Sequence, residues 1–152
     1  MNIFVKLDTL INEQSLELIH GAENYADTPI TVAEINRPSL QLAGFFDYFD
    51  NRRIQILGKV EYTYLEKLSS EERKKRLACL FEKQIPAPVG TRDLPIYPEL
   101  LACAEEYDTT ILRTAEGTSR FMSDIILSLS VWLAPLTTMH GVLVEVFGEG
   151  VL

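Results

Sequence analysis

Apolar side chains recur along this chain with two periods, and the switches between them mark out its elements. Phe4, Leu7, Leu10 and Ile11 stand at helical spacing, which predicts a short helix over residues 3–13. Residues 16–19 read as a short strand closed by His20-Gly21, and residues 31–35 as another. Pro38 suits the first turn of a short helix reaching Leu42, where its missing N–H is not needed. Residues 53–57 predict a strand ended by Gly58. Ser69-Ser70-Glu71-Glu72 is a capping box: the Ser69 hydroxyl can accept from the Glu72 amide while the Glu72 carboxylate reaches back. The helix it opens should run to about Glu82 and bury Leu77, Leu80 and Phe81. Residues 85–93 contain Pro86, Pro88 and Gly90 and read as a loop or a short edge strand.

A helix is expected over residues 98–107, then a β-branched strand over 109–113. A longer helix over 119–133 should turn Met122, Ile125, Ile126, Leu129 and Trp132 or Leu133 to one side before Pro135 closes it. Strand–helix alternation from residue 53 to 133 predicts an α/β fold with a largely parallel sheet flanked by helices. Residues 139–152 read differently, as a turn carrying His140, a strand, a Gly-x-Gly turn and the start of another strand that reaches Leu152. A lone hairpin cannot bury its faces. The sequence therefore divides into a domain over 1–133 and, over 134–152, a linker with the opening hairpin of a further, truncated domain.

Hydrophobic residues make up 47% and charged residues 24% of the 152, the balance of a globular domain long enough to bury a core. The net charge of −8 argues against nonspecific nucleic-acid binding, which calls for a basic face. It leaves room for a small anion, because helix-start amides hold phosphate without net positive charge. Cys79 and Cys103 sit in helical patterns and read as two small buried thiols. No CxxC or histidine cluster signals zinc. Lys6 and Asp8 argue against a signal peptide, and residues 121–136 are too short and too polar for a membrane span, so no membrane partner and a cytoplasmic location are expected.

No complete catalytic constellation emerges from the residues alone. His20 reads as a surface-turn histidine, and His140, at the start of a strand, is open to a structural or a catalytic role. Gly148-x-Gly150 lacks the Gly-Lys-Ser/Thr that completes a phosphate loop. Glu71/Glu72 and Glu105/Glu106 are adjacent on their helices and do not converge. The run Arg73-Lys74-Lys75-Arg76 is open to a solvated helix face or a phosphate or partner patch. Thr118-Ser119-Arg120 suits either a plain N-cap by Thr118 or Ser119 or an anion held by amides. The aromatics from Phe45 to Phe49 suit a core, an interface or a groove lining. A stand-alone binding or interaction domain for a small anionic ligand or a protein partner is thus one reading of the chain.

Three blocks carry a more specific resemblance. Residues 36–49 (NRPSLQLAGFFDYF), residues 53–59 (RIQILGK) and residues 133–152 (LAPLTTMHGVLVEVFGEGVL) are similar, in order and spacing, to the bacterial HPr kinase/phosphorylase family, the last block to the segment leading into its P-loop. Glu145 stands where the family often has aspartate, and residues 84–94 depart further.

The resemblance implies a bifunctional enzyme of carbon-catabolite control. It phosphorylates a serine of HPr, a carrier of the phosphotransferase system, with ATP or pyrophosphate and Mg2+, and reverses this by phosphorolysis. It implies a homo-hexamer built by the C-terminal P-loop domains, and an N-terminal domain similar to the first domain of Mur ligases. His140 matches the family's active-site histidine ahead of the P-loop, near the transferred phosphate. The P-loop itself is expected after Leu152. The family's nucleotide- and metal-binding positions therefore have no counterpart in these 152 residues, and the chain by itself is expected to be inactive.

Overall fold

The computed structural model describes residues 3–135. His140, the hairpin expected around it and the rest of residues 136–152 lie outside the described residues. The expectation of a P-loop following Leu152 falls there too, because the segment that would lead into it, Leu152 included, is not among the described residues.

The chain opens with β1 (Val5–Lys6), which pairs antiparallel with β3 (Pro29–Ile30) in a two-stranded ribbon. Between them come α1 (Leu7–Glu13) and β2 (Glu17–His20). The apolar periodicity of residues 3–13 is thus split: Leu7, Leu10 and Ile11 are buried on α1, and the residues before them pair as a strand. Next come β4 (Ile35–Asn36), α2 (Ser39–Leu42), β5 (Ile54–Leu57), α3 (Lys59–Glu66) and α4 (Ser70–Phe81). Then follow β6 (Pro88–Gly90), α5 (Pro98–Tyr107), β7 (Ile111–Arg113) and α6 (Thr118–Trp132). The strand expected over 31–35 does not form. Pairing instead falls on its flanks, in β3 and β4.

Five strands make the main sheet in the order β2-β7-β6-β5-β4. β4, β5, β6 and β7 run parallel, and β2 closes one edge antiparallel to β7. This confirms the mixed α/β architecture with a mostly parallel sheet. It also corrects the expectation that residues 85–93 form a loop or edge strand: β6 lies at the sheet's centre. Pro88 is tolerated there because it is the strand's first residue, where a missing donor costs one ladder bond at most.

Successive side chains of a strand face opposite ways, and the two faces feed two cores. Ile54, Ile56, Val89 and Leu112 pack with Leu7, Leu10, Phe121, Ile125 and Leu129 under α1 and α6. Leu57 and Ile111 pack on the other side with Tyr62, Leu65, Leu77, Leu80, Phe81, Leu100 and Cys103 under α3, α4 and α5. Cys103 is buried and Cys79 half-buried, and both are free.

The Ser69 cap forms as its sequence predicts, with the Glu72 amide donating to the Ser69 hydroxyl at 3.1 Å. The Glu72 carboxylate turns instead to Arg76, at 2.7 Å. Ser69→Ala should therefore lower the unfolding free energy by about 1 kcal/mol. Urea titration would show this as a lower midpoint at unchanged slope.

Candidate functional site

In open α/β sheets, crevices that bind ligands lie beyond the carboxyl ends of the parallel strands. Here that end gathers a polar cluster from four segments. The chain leaves β4 through Arg37 and enters α2 at Ser39. It leaves β5 through Gly58 and turns at once into α3. β6 runs on into Thr91, and α6 begins at Thr118.

Glu61, in the first turn of α3, joins them. One carboxylate oxygen accepts from Arg37 Nη2 at 2.9 Å and from the Gly58 amide at 2.7 Å, and the other accepts from Ser39 Oγ at 2.5 Å. The Glu61 side chain is 1% exposed and that of Arg37 34%. Burial alone would push the Glu61 carboxyl up. The hydrogen bonds from Arg37, Ser39 and the Gly58 amide oppose it and hold the group below the usual carboxylate range.

Beside this network, the hydroxyls of Thr91 and Thr118 share a hydrogen bond at 2.7 Å, and Thr91 Oγ1 also donates to the Leu57 carbonyl at 3.2 Å. Gly58 lies between the two arrangements. A Cβ there would stand 2.6 Å from Arg37 Nη2 and 2.8 Å from Thr118 Oγ1. The cluster thus ties the exit of β4, the β5–α3 turn and the start of α6 into one block. Its carboxylate is matched by an internal guanidinium, and the Gly58 amide that could hold an outside anion is already taken. Arg37 Nε and the Tyr62 hydroxyl are two buried polar atoms here that have no hydrogen-bond partner. Burial pushes the Tyr62 hydroxyl up to about 12.

The opposite end of the sheet carries a cleft of about 350 Å3, lined by Asn51, Arg52, Gln84, Asp108 and Thr110 among others. Three of its polar groups are engaged: Thr110 Oγ1 accepts from the Ala22 amide and Asp108 Oδ1 from the Glu23 amide, both at 3.1 Å, while Arg52 pairs with Asp50 at 2.9 Å. Among the described residues no group of three His, Cys, Asp or Glu side chains could hold a metal ion. No helix among them is long and apolar enough to cross a membrane.

The candidates singled out from the sequence fall in separate places. Thr118 and Ser119 do not cap α6. The N-cap is Gly117, without a side-chain bond, and the Thr118 hydroxyl is turned inward to Thr91. The basic run divides: Arg73 and Arg76 are held against the protein, Arg76 by Glu72 at 2.7 Å, while Lys74 and Lys75 are exposed. Arg73 donates to the Leu65 and Leu68 carbonyls at 2.9 and 3.0 Å, pairs with Glu99 at 3.4 Å and lies over the Tyr97 ring. Lys74 meets Glu106 at 3.7 Å. The aromatic segment divides: Phe46 and Phe49 meet edge-to-face and pack on the second core, while Phe45 and Tyr48 are exposed. His20 Nδ1 lies 3.1 Å from the Thr109 carbonyl, an attachment of β2 to the turn before β7. Cys103 is buried, and burial pushes its thiol up to about 11.

The reading from sequence missed Glu61, Gly58 and Thr91. A signal was present in Gly58-Lys59-Val60-Glu61, a glycine before a helix with an acid three residues later, the second half of a capping box. The partner residues Arg37 and Ser39 lie more than twenty positions away, and no local pattern links them.

A model of the family "HPr Serine kinase N terminus" matches residues 5–129. Curated relatives named HPr kinase/phosphorylase are similar over almost the whole chain. That of Bacillus licheniformis is 43% identical over 97% of this chain and 47% of its own length. That of Clostridium perfringens strain 13 is 46% identical over 97% and 48%, and that of Caldanaerobacter subterraneus 43% over the same shares. The chain therefore spans about half the length of these relatives. Among solved structures, the CBS and DRTGG domains of the regulatory region of Clostridium perfringens pyrophosphatase, complexed with the activator diadenosine tetraphosphate, match with a TM-score of 0.57. At 18% identity over 82% of this chain and 47% of that one, the likeness concerns the fold alone.

Proposed function

Because the chain belongs to the HPr serine kinase N-terminal family, we propose that it is the N-terminal half of a bifunctional HPr kinase/phosphorylase. The observation that carries this reading is the match over 97% of the chain to relatives of that name, each covered over about half its length. The parent protein phosphorylates a serine of HPr with ATP or pyrophosphate in the presence of Mg2+, and reverses the step by phosphorolysis, in cytoplasmic carbon-catabolite control. HPr docks mainly on the C-terminal half, and that half builds a homo-hexamer. Residues 134–152 lead into the P-loop domain, with the loop itself following Leu152. The N-terminal domain shares its layout with the first domain of Mur ligases.

Phosphoryl transfer depends on positioning and charge stabilisation more than on covalent chemistry by the protein. His140 acts in that way, beside the transferred group. The 152 residues contain no Gly-Lys-Ser/Thr to cradle the β- and γ-phosphates, so this half alone is catalytically silent. The rigid, internally neutralised cluster of Arg37, Glu61 and Ser39 fits a domain that positions or regulates rather than one that reacts.

The test is a phosphorylation assay with HPr and ATP. No phosphoserine should appear with the 152-residue chain, and turnover by it would refute the claim of silence. In the full-length parent, His140→Ala should lower the forward and reverse rates without moving the melting temperature. Unchanged rates would make His140 a structural residue.

A further inference from the structure

The left-handed backbone region is costly for a residue with a side chain, and helices that end on it usually place glycine there. Two connections at the amino end of the main sheet use larger residues instead. Gln84 follows the end of α4 at φ 62°, and Asp108 caps α5 at φ 51°. Both line the cleft of about 350 Å3. Asp108 is explained by the fold, because its side chain accepts from the Glu23 amide and ties the β2–β3 connection to the entry of β7. Gln84 is not. Its backbone amide closes the turn on the Phe81 carbonyl at 3.0 Å, but its side chain makes no hydrogen bond among the described residues. The chain bears the strain of a left-handed glutamine and gains no contact within the fold from that side chain.

The rest of the wall is built in a similar way. Glu23, Thr28 and Thr31 also line the cleft, with side chains that make no hydrogen bond among the described residues. Asn51 is oriented by donating to the Lys83 carbonyl at 2.8 Å, which leaves its amide oxygen as an acceptor. Arg52 spends Nε and Nη2 on Asp50, which leaves Nη1 as a donor. Donors and acceptors therefore line one space. The carboxyl end of the sheet, the usual place for a ligand in such folds, is filled by the Arg37–Glu61 cluster.

We infer that the amino-end cleft binds a neutral polyhydroxylated small molecule of about monosaccharide size. Its volume lies at the lower end of the ~300–1,000 Å3 range of small-molecule sites. Charge and hydrogen-bonding capacity select the class. An anion would meet the carboxylates of Glu23 and Asp108, while Arg52 is already matched by Asp50 at 2.9 Å. An ammonium group only donates, and would leave the Gln84 N–H groups and Arg52 Nη1 without an acceptor. A hydroxyl both donates and accepts, so a ring of hydroxyls serves both kinds of group. This inference stands apart from the kinase reading.

The test is a titration of the 15N-labelled 152-residue chain with D-glucose, D-galactose and myo-inositol, and with glucose 6-phosphate and glucosamine as charged counterparts. At least one neutral probe should give saturable amide shifts at Ala22, Gln84 and Thr110, and should bind more tightly than either charged probe. Gln84→Gly relieves the strained turn, so its melting temperature should stay unchanged or rise, yet its affinity for the neutral probe should fall about fivefold, the share of one hydrogen bond. Thr31→Val, which alters no bond within the fold, should weaken binding by a similar factor. The absence of saturable shifts with all three neutral probes overturns the inference, and so does tighter binding of a charged probe. Unchanged affinity in both variants overturns it as well, because the bound molecule would then sit elsewhere.

Discussion

Glu61→Ala should destabilise the domain by about 3 kcal/mol, the scale for breaking a buried ion pair from one side. The carboxylate is almost wholly enclosed and holds three donors from two segments, the β4–α2 connection and the β5–α3 turn. Its removal leaves the Gly58 amide and the Ser39 hydroxyl without an acceptor and a half-buried guanidinium without its counter-charge. Each unsatisfied buried group costs about 1–3 kcal/mol, and the 34% exposure of Arg37 lets water recover part of that. Glu61→Gln should cost less, since the amide keeps one acceptor oxygen. The pH dependence follows from the sign of the shift. Glu61 is held below its ordinary value of 4.5 in the folded chain, so the unfolded chain binds its proton first as the pH falls. The stability that the pairing gives is complete above that ordinary value and is lost as the pH drops below it through the folded value. Urea midpoints compared at neutral pH and at a pH just below that ordinary value would show wild type losing stability that Glu61→Ala has already lost. Parallel pH curves for the two proteins would refute the assignment.

The second large effect is expected at Gly58. A valine there places Cβ inside the contact distance of Arg37 and of Thr118, and its two methyl groups go further. Arg37 is long and can move its far end. Thr118 is short, buried and tied to Thr91, so α6 or the β5–α3 turn has to shift. Overpacking of this kind costs about 1–3 kcal/mol, and displacement of Arg37 from Glu61 adds to it. Gly90→Ala is the matched control. The added Cβ would meet only Tyr62 Oη at 3.8 Å and the Leu112 carbonyl at 4.0 Å, which is ordinary contact. It should be neutral, or stabilising by about 0.4–1 kcal/mol through the unfolded chain. Thermal melts of both variants decide the matter. Equal losses at the two glycines would mean that the crowding around Gly58 carries no energy.

Family membership and the likeness over almost the whole chain were legible in the sequence, because the three blocks keep their order and spacing. Much of the fold was legible as well. α5 begins and ends where its pattern predicts, α4 starts at the Ser69 cap, and α6 lies within one residue of its expected bounds. These elements announce themselves through local rules of cap, period and proline. α3 was silent because Val60, Tyr62, Thr63 and Tyr64 are weak helix formers crowded into eight residues. It is held by tertiary contact, with Tyr62 and Leu65 buried against the second core.

What the sequence determined alone is therefore whatever a few neighbouring residues can encode: the type of most elements, the parallel α/β class, and the family signature. Tertiary structure decided the rest. It placed β6 at the centre of the sheet, since strand order depends on which edges remain to be covered and not on the strand's own residues. It turned Ile126 outward on α6 and chose Leu133 over Trp132 for the packed side, where the apolar period had left those two open, because both inner and outer faces of that helix are apolar and only packing distinguishes them. And it joined Arg37 and Ser39 to Glu61, which lies more than twenty positions further on. A buried charge acquires its distant partners only when the chain has folded, and that is why the linear pattern carried only the local half of the polar cluster at the carboxyl end of the sheet, the pairing of Gly58 with Glu61.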